Sequence, residues 1–141
     1  MAVKVFLDIN TIIDFFDGSR SGHLSSRQLI ELSESHDIAA YLSESVLNTT
    51  INALRKEYKT ERMRSMLSHL LEFITILPCT NSSYLKSLQL PTTDLEDAVL
   101  YQIAIDNKLD YFVTSNKKDF KKIISPLLPV VSSKELIDLI S

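Results

Sequence analysis

Short apolar runs alternate with amphipathic stretches along the whole of this chain. Val3 to Leu7 reads as a buried strand, because a parallel sheet covered on both faces does not need a polar residue at every second position. The run stops at Asp8. Asn10 is placed to cap a helix over Thr11 to Asp17, with Gly18 ending it. Ser25 to Ser35 predicts a second helix, and Asp37 to Leu42 a second strand. Ser43 then caps a helix that carries Val46, Leu47, Ile51 and Leu54 on one face. A further helix is expected from Glu61 to Leu71, and a third strand over Phe73 to Leu77.

Between Pro78 and Pro91 the pattern weakens, with a helix predicted over Ser82 to Ser87. Thr93, followed three residues later by Glu96, matches a capping box and opens a helix toward Asn107. Asp110 to Thr114 predicts a fourth strand, Lys117 to Ile123 a short helix, and Leu128 to Val131 a fifth strand. Ser132 and Glu135 make a second capping box, which opens the last helix to Ile140. There is no internal repeat and no break in composition. The expectation is a single α/β domain over 1–141, a three-layer sandwich with a parallel sheet of four to five strands between helices.

Composition narrows the choice of function. A chain of 141 residues fits one domain and can bury a core without disulfides or metals. Two Gly and four Pro leave no room for long flexible linkers. The lone Cys79 excludes a disulfide framework and a Cys-rich zinc site, and suits a reducing, cytoplasmic setting. His23, His36 and His69 are far apart in sequence, which speaks against a histidine metal site. A net charge of -3 excludes a polycation that coats nucleic acid. The opening MAVKVFLDIN reaches a polar residue too soon for a signal peptide, and no apolar run approaches the roughly 18 residues of a membrane span. An enzyme, a binding domain and a partner subunit all remain open.

The acidic residues are more informative. Ligands of open parallel sheets bind beyond the carboxyl ends of the strands. Asp8 directly follows the first predicted strand. Asp94 and Asp97 lie three apart in the first turn of a predicted helix, on one face, and Asp119 follows the fourth strand. Each has a plainer explanation: Asp8 as a helix cap, Asp94 as a favourable charge at a helix N-terminus, Asp119 as a surface residue. Together, carboxylates without His or Cys suit a hard cation, Mg²⁺ or Mn²⁺, which can activate water and offset charge on a phosphodiester.

In order and spacing these residues resemble PIN-domain proteins. Val5-Phe6-Leu7-Asp8-Ile9-Asn10 is similar to the family's opening strand. Asp94-Leu95-Glu96-Asp97-Ala98 resembles its D-x-x-D-A helix start, and Val113-Thr114-Ser115-Asn116-Lys117-Lys118-Asp119-Phe120 its closing T-x-N-x-x-D-F segment. Small members of this size are commonly VapC-type toxins, ribonucleases neutralised by an antitoxin. The resemblance implies Mg²⁺- or Mn²⁺-dependent cleavage of RNA, an antitoxin partner and a homodimer. It makes Asp8, Asp94 and Asp97 metal ligands or holders of ligand waters. Asp119 matches the family's fourth acidic region in the catalytic set, although other members often carry Asp where this chain has Asn116, so either position is open as the one that faces the metal. Asn10, Thr114 and Asn116 would supply hydrogen bonds that orient the ligands. One departure stands out. The family's helix Glu falls at Thr49, and the carboxylate at hand, Glu44, lies a turn too early.

Lys117, Lys118, Lys121 and Lys122 flank Asp119 and are the expected RNA contacts; Arg55, Lys56, Lys59, Arg62 and Arg64 form a second basic run. A solvated helix face explains either group equally well. Phe15, Phe16, Leu29, Ile30 and Leu32 read as core. Two functions follow: a metal-dependent ribonuclease, or a catalytically weak module that binds RNA or a protein partner. A phosphoacceptor receiver domain fits poorly, because Leu77-Pro78-Cys79 lacks an Asp after the third strand and Val131-Ser132 lacks a Lys after the fifth.

Overall fold

The computed structural model describes residues 2–141. Five parallel strands form one sheet in the order β3-β2-β1-β4-β5. They are β1 (Val3–Leu7), β2 (Ile38–Ser43), β3 (Ile74–Leu77), β4 (Tyr111–Val113) and β5 (Val130–Val131). The first strand is central, pairing Val5 with Ala40 on one side and with Tyr111 on the other. Helices α1 (Ile9–Phe16), α2 (His23–Glu34), α3 (Glu44–Leu54), α4 (Thr60–Leu70), α5 (Asn81–Ser87) and α6 (Leu95–Asp106) lie in the connections between strands, and α7 (Ser133–Ile140) follows the last strand. The expected α/β architecture is therefore present, with its upper number of strands.

Burial explains why the strands do not alternate. Val5, Phe6 and Leu7 are fully enclosed, as are Phe112 and Val113. Phe6 stacks on Phe112 with ring centroids 5.1 Å apart, and Phe112 meets Phe120 at 4.7 Å. Tyr101 joins this group from α6; its hydroxyl donates to the Leu128 carbonyl at 2.6 Å and accepts from the Ser125 amide at 2.9 Å. Phe120 thus anchors the segment after β4 in the core. Phe16, Leu29 and Ile30 are core as expected, while Phe15 and Leu32 are partly buried against it.

Four local expectations need correction. Helix α1 starts at Ile9 and is capped by Asp8, whose Oδ1 accepts from the Ile9 amide at 2.8 Å; Asn10 lies inside the helix. Helix α6 is capped by Asp94, not Thr93, because the Asp94 Oδ1 reaches the Asp97 amide at 3.1 Å. The Thr93–Glu96 capping box therefore does not form. The helix expected over Lys117 to Ile123 is a single 3₁₀ turn, Lys117–Phe120. The fifth strand is only Val130–Val131. By contrast, Ser43 caps α3 and the Ser132–Glu135 capping box opens α7.

Between α1 and α2 the chain turns tightly around the buried Asp14, which pairs with Arg20. A Cβ on Gly22 would come within 2.3 Å of the Asp14 Oδ2, so a larger residue there would displace the carboxylate that pairs with Arg20.

Candidate active site

The site begins with β1. Its last residue, Leu7, is buried, and the next, Asp8, has almost no exposed surface. The Asp8 amide donates to the Val113 carbonyl at 3.0 Å, extending the β1–β4 ladder by one bond. Its side chain is held from two directions: Thr114 Oγ1 donates to Oδ2 at 2.8 Å, and the Ile9 amide to Oδ1. Thr114 in turn accepts from the Asn116 amide at 3.1 Å, which fixes the start of the 3₁₀ turn. Thr114 thus orients a carboxylate, as the sequence suggested. The side chains of Asn10 and Asn116 have no hydrogen-bond partner among the described residues.

Asp94 and Asp97 stand in the first turn of α6, where the helix dipole favours negative charge. Asp119 sits in the 3₁₀ turn, held by the buried Phe120 beside it. These four carboxylates feel one another. Burial lifts the Asp8 carboxyl above its ordinary range; the Thr114 and Ile9 hydrogen bonds pull it down, and the charges of Asp94 and Asp119 push it up. Asp97 is pushed up to about 7, first by burial, then by its hydrogen bond with the Asp94 carboxyl and by the charges of Asp8, Asp94 and Asp119. The structure therefore brings together the four acids that the sequence singled out.

Glu44 is not one of that group; it is exposed in the first turn of α3, as a plain N-terminal charge would be. Thr49 lines a groove of about 400 Å³ between α3, α5 and the start of α6, and Ser45, Glu96 and Asp97 share that lining. The groove's other walls include Tyr84, Leu88 and Leu95, which the sequence did not mark out. Their one available sign in the sequence was apolar character. Lys117 is tied to Glu135, with its Nζ 2.8 and 3.0 Å from the two carboxylate oxygens. Lys118, Lys121 and Lys122 are exposed and make no ion pair among the described residues.

An all-carboxylate set suits a hard divalent cation. Among the described residues, no three His, Cys, Asp or Glu side chains are arranged to hold an ion by themselves.

Comparison with known proteins settles the family. The family described as PIN domain matches residues 4–118. The chain belongs to the PIN domain family. Ribonuclease VapC1 of Aquifex aeolicus (strain VF5) is 28% identical over 137 residues, covering 94% of this chain and 92% of that protein. The fold of this PIN domain is similar to that in a DNA-bound VapBC from Salmonella typhimurium, with a TM-score of 0.69 at 19% identity, covering 93% of this chain and 98% of the other. A toxin–antitoxin complex from Klebsiella pneumoniae gives a TM-score of 0.65 at 23% identity, covering 88% and 94%. No helix among the described residues is long and apolar enough to cross a membrane.

Proposed function

We propose that this PIN domain is a metal-dependent endoribonuclease of the VapC type, the toxin of a toxin–antitoxin pair. It works as a single domain over 1–141, in the cytoplasm, with an antitoxin and a second copy of itself as protein partners. The observation that carries this reading is the convergence of four acids: Asp8 and Asp97 are buried, and the charges of Asp94 and Asp119 add to that burial in raising the proton affinity of both. Such mutual repulsion costs stability, and a bound divalent cation offsets it. The likeness to Ribonuclease VapC1 and to toxin–antitoxin complexes supports the same reading.

Asp8, Asp94 and Asp97 would hold Mg²⁺ or Mn²⁺. When bound, such an ion supplies Lewis-acid polarisation of the phosphodiester and a water acidic enough to attack phosphorus. The protein's own groups do the rest. Thr114 and the Ile9 amide fix Asp8 so that it does not reorganise during the reaction. In the metal-free site Asp97 holds its proton up to about pH 7, and a bound ion would displace that proton when Asp97 becomes its ligand. Asp119 would add charge at the rim, and Lys118, Lys121 and Lys122, on the 3₁₀ turn and just after it, would hold phosphates.

The test is cleavage of RNA in Mn²⁺. Cleavage should vanish in EDTA and fall by about 100-fold or more in Asp8→Asn, whose amide still caps α1. Unchanged cleavage by Asp8→Asn, from preparations free of other nucleases, would contradict the assignment. A folded protein that binds RNA without cutting it would favour the binding-module reading, to which Thr49 in place of a helix carboxylate points.

A further inference from the structure

We propose that the groove between α3, α5 and α6 is a nucleobase subsite, which takes one unpaired base of RNA next to the bond that is cut. The inference rests on the ribonuclease reading. The sheet order places β2 and α3 on one side of Asp8, and β4 with the lysine-bearing 3₁₀ turn on the other. The carboxylates therefore lie between an apolar groove and a basic rim. A single strand of RNA has the matching chemistry, neutral flat bases and anionic phosphates.

The groove's walls carry Tyr84, Leu88 and Leu95, which are 49%, 54% and 50% exposed, and its lining includes no Lys or Arg. Asp97 belongs both to this lining and to the carboxylate cluster, so the groove opens directly on the chemistry. Glu96 and Asp97 repel a phosphate there, and the apolar walls favour an uncharged ring. Tyr84 supplies a face for stacking. The hydroxyls of Ser45 and Thr49 can donate or accept, and Glu96 can accept from an exocyclic base amine. A volume of about 400 Å³ holds one base.

The experiment uses a single-stranded RNA with one mapped cleavage site, and versions of it with an abasic ribose on either side of the cut bond. Each is tested with the wild type and with Leu88→Asn, a surface change that leaves the carboxylates untouched. Removing one of the two flanking bases should lower kcat/KM for the wild type by about tenfold, the scale of one base stacking contact. Leu88→Asn should lose about as much on intact RNA and little more on that abasic RNA. Multiplying losses, or full activity of Leu88→Asn on intact RNA, would overturn the proposal. A wild-type dimer that Leu88→Asn turns into a monomer would also overturn it, by giving the groove to a second copy. Binding is read separately from cleavage, through 2-aminopurine RNA quenched by the Asp8→Asn protein. Quenching that disappears in Asp8→Asn/Leu88→Asn supports the subsite even if the wild type cuts nothing, a result that would sink the ribonuclease reading alone. Equal quenching in both proteins would overturn the subsite.

Discussion

The two ends of the sheet have hollows of opposite character. At the amino end, a cavity of about 570 Å³ is bounded by Lys4, Lys108, Asp110, Tyr111 and Pro129. Its one carboxylate is satisfied, since the Lys4 amide donates to Asp110 Oδ2 at 2.8 Å, and two lysines lie in the same lining. At the carboxyl end the neighbouring hollow is smaller, about 400 Å³, yet its edge belongs to a cluster of four acids in which Asp8 and Asp97 bind their protons unusually tightly. Volume does not separate a site from a surface depression here; unbalanced charge does. A fold under no functional constraint has no reason to keep like charges so close, because each raised pKa is a cost to the folded state.

The largest expected effect contrasts the two ends directly. Asp97→Asn should reduce Mn²⁺-dependent RNA cleavage by about 100-fold or more, whereas Asp110→Asn, at the opposite end, should stay within about twofold of wild type. Comparable losses in both, at equal thermal stability, would erase the distinction.

A second contrast concerns pH. Asp97 binds its proton more tightly folded, with a pKa of about 7, than unfolded, near the ordinary value of 3.8. Stability from that proton is therefore fully present below about pH 4 and is lost as pH rises through about 7. Asp8 shifts in the same direction. In EDTA, the wild-type Tm should decline between pH 5 and 8, and Asp97→Asn should flatten that decline. Glu135, held low by the hydrogen bond from Lys117, acts in the other direction and only in the acid range. A flat wild-type profile would mean that neither burial nor the neighbouring acids hold the Asp97 proton in solution.

The smallest effect concerns the rim. Glu44→Gln should leave cleavage within about twofold, because Glu44 lies exposed at the start of α3. A loss as large as that of Asp97→Asn would add Glu44 to the site.

How much of this was legible in the sequence depended on the range of the interaction. Strand ends were readable because unbroken apolar runs such as Val5-Phe6-Leu7 stop at a carboxylate. The acids were readable because each follows such a run or opens a helix. Cap positions were off by one or two residues. Thr93 and Asp94 are both good caps, and only the reach of Asp94 Oδ1 to the Asp97 amide decides between them. Asn10 lost its expected cap to Asp8, which serves α1 and the site together. The pairing of Lys117 with Glu135 joins residues 18 apart, so nothing local showed that this lysine is tethered while Lys118 is not. The groove was equally hidden, since Thr49, Tyr84, Leu88 and Leu95 come from three separate helices and their connections.

The most direct measurement is the shift in Tm caused by Mn²⁺ in the wild type and in Asp97→Asn, each against EDTA. An ion that binds only the folded state at ten times its Kd contributes about 1.4 kcal/mol. For a domain of this size that is a rise of roughly 3–5 °C. The account predicts this rise for the wild type, loss of most of it in Asp97→Asn, and a metal-free Asp97→Asn at least as stable as the metal-free wild type at pH 8. Equal shifts in the two proteins would place the ion elsewhere and contradict the assignment of the acidic cluster as the metal site.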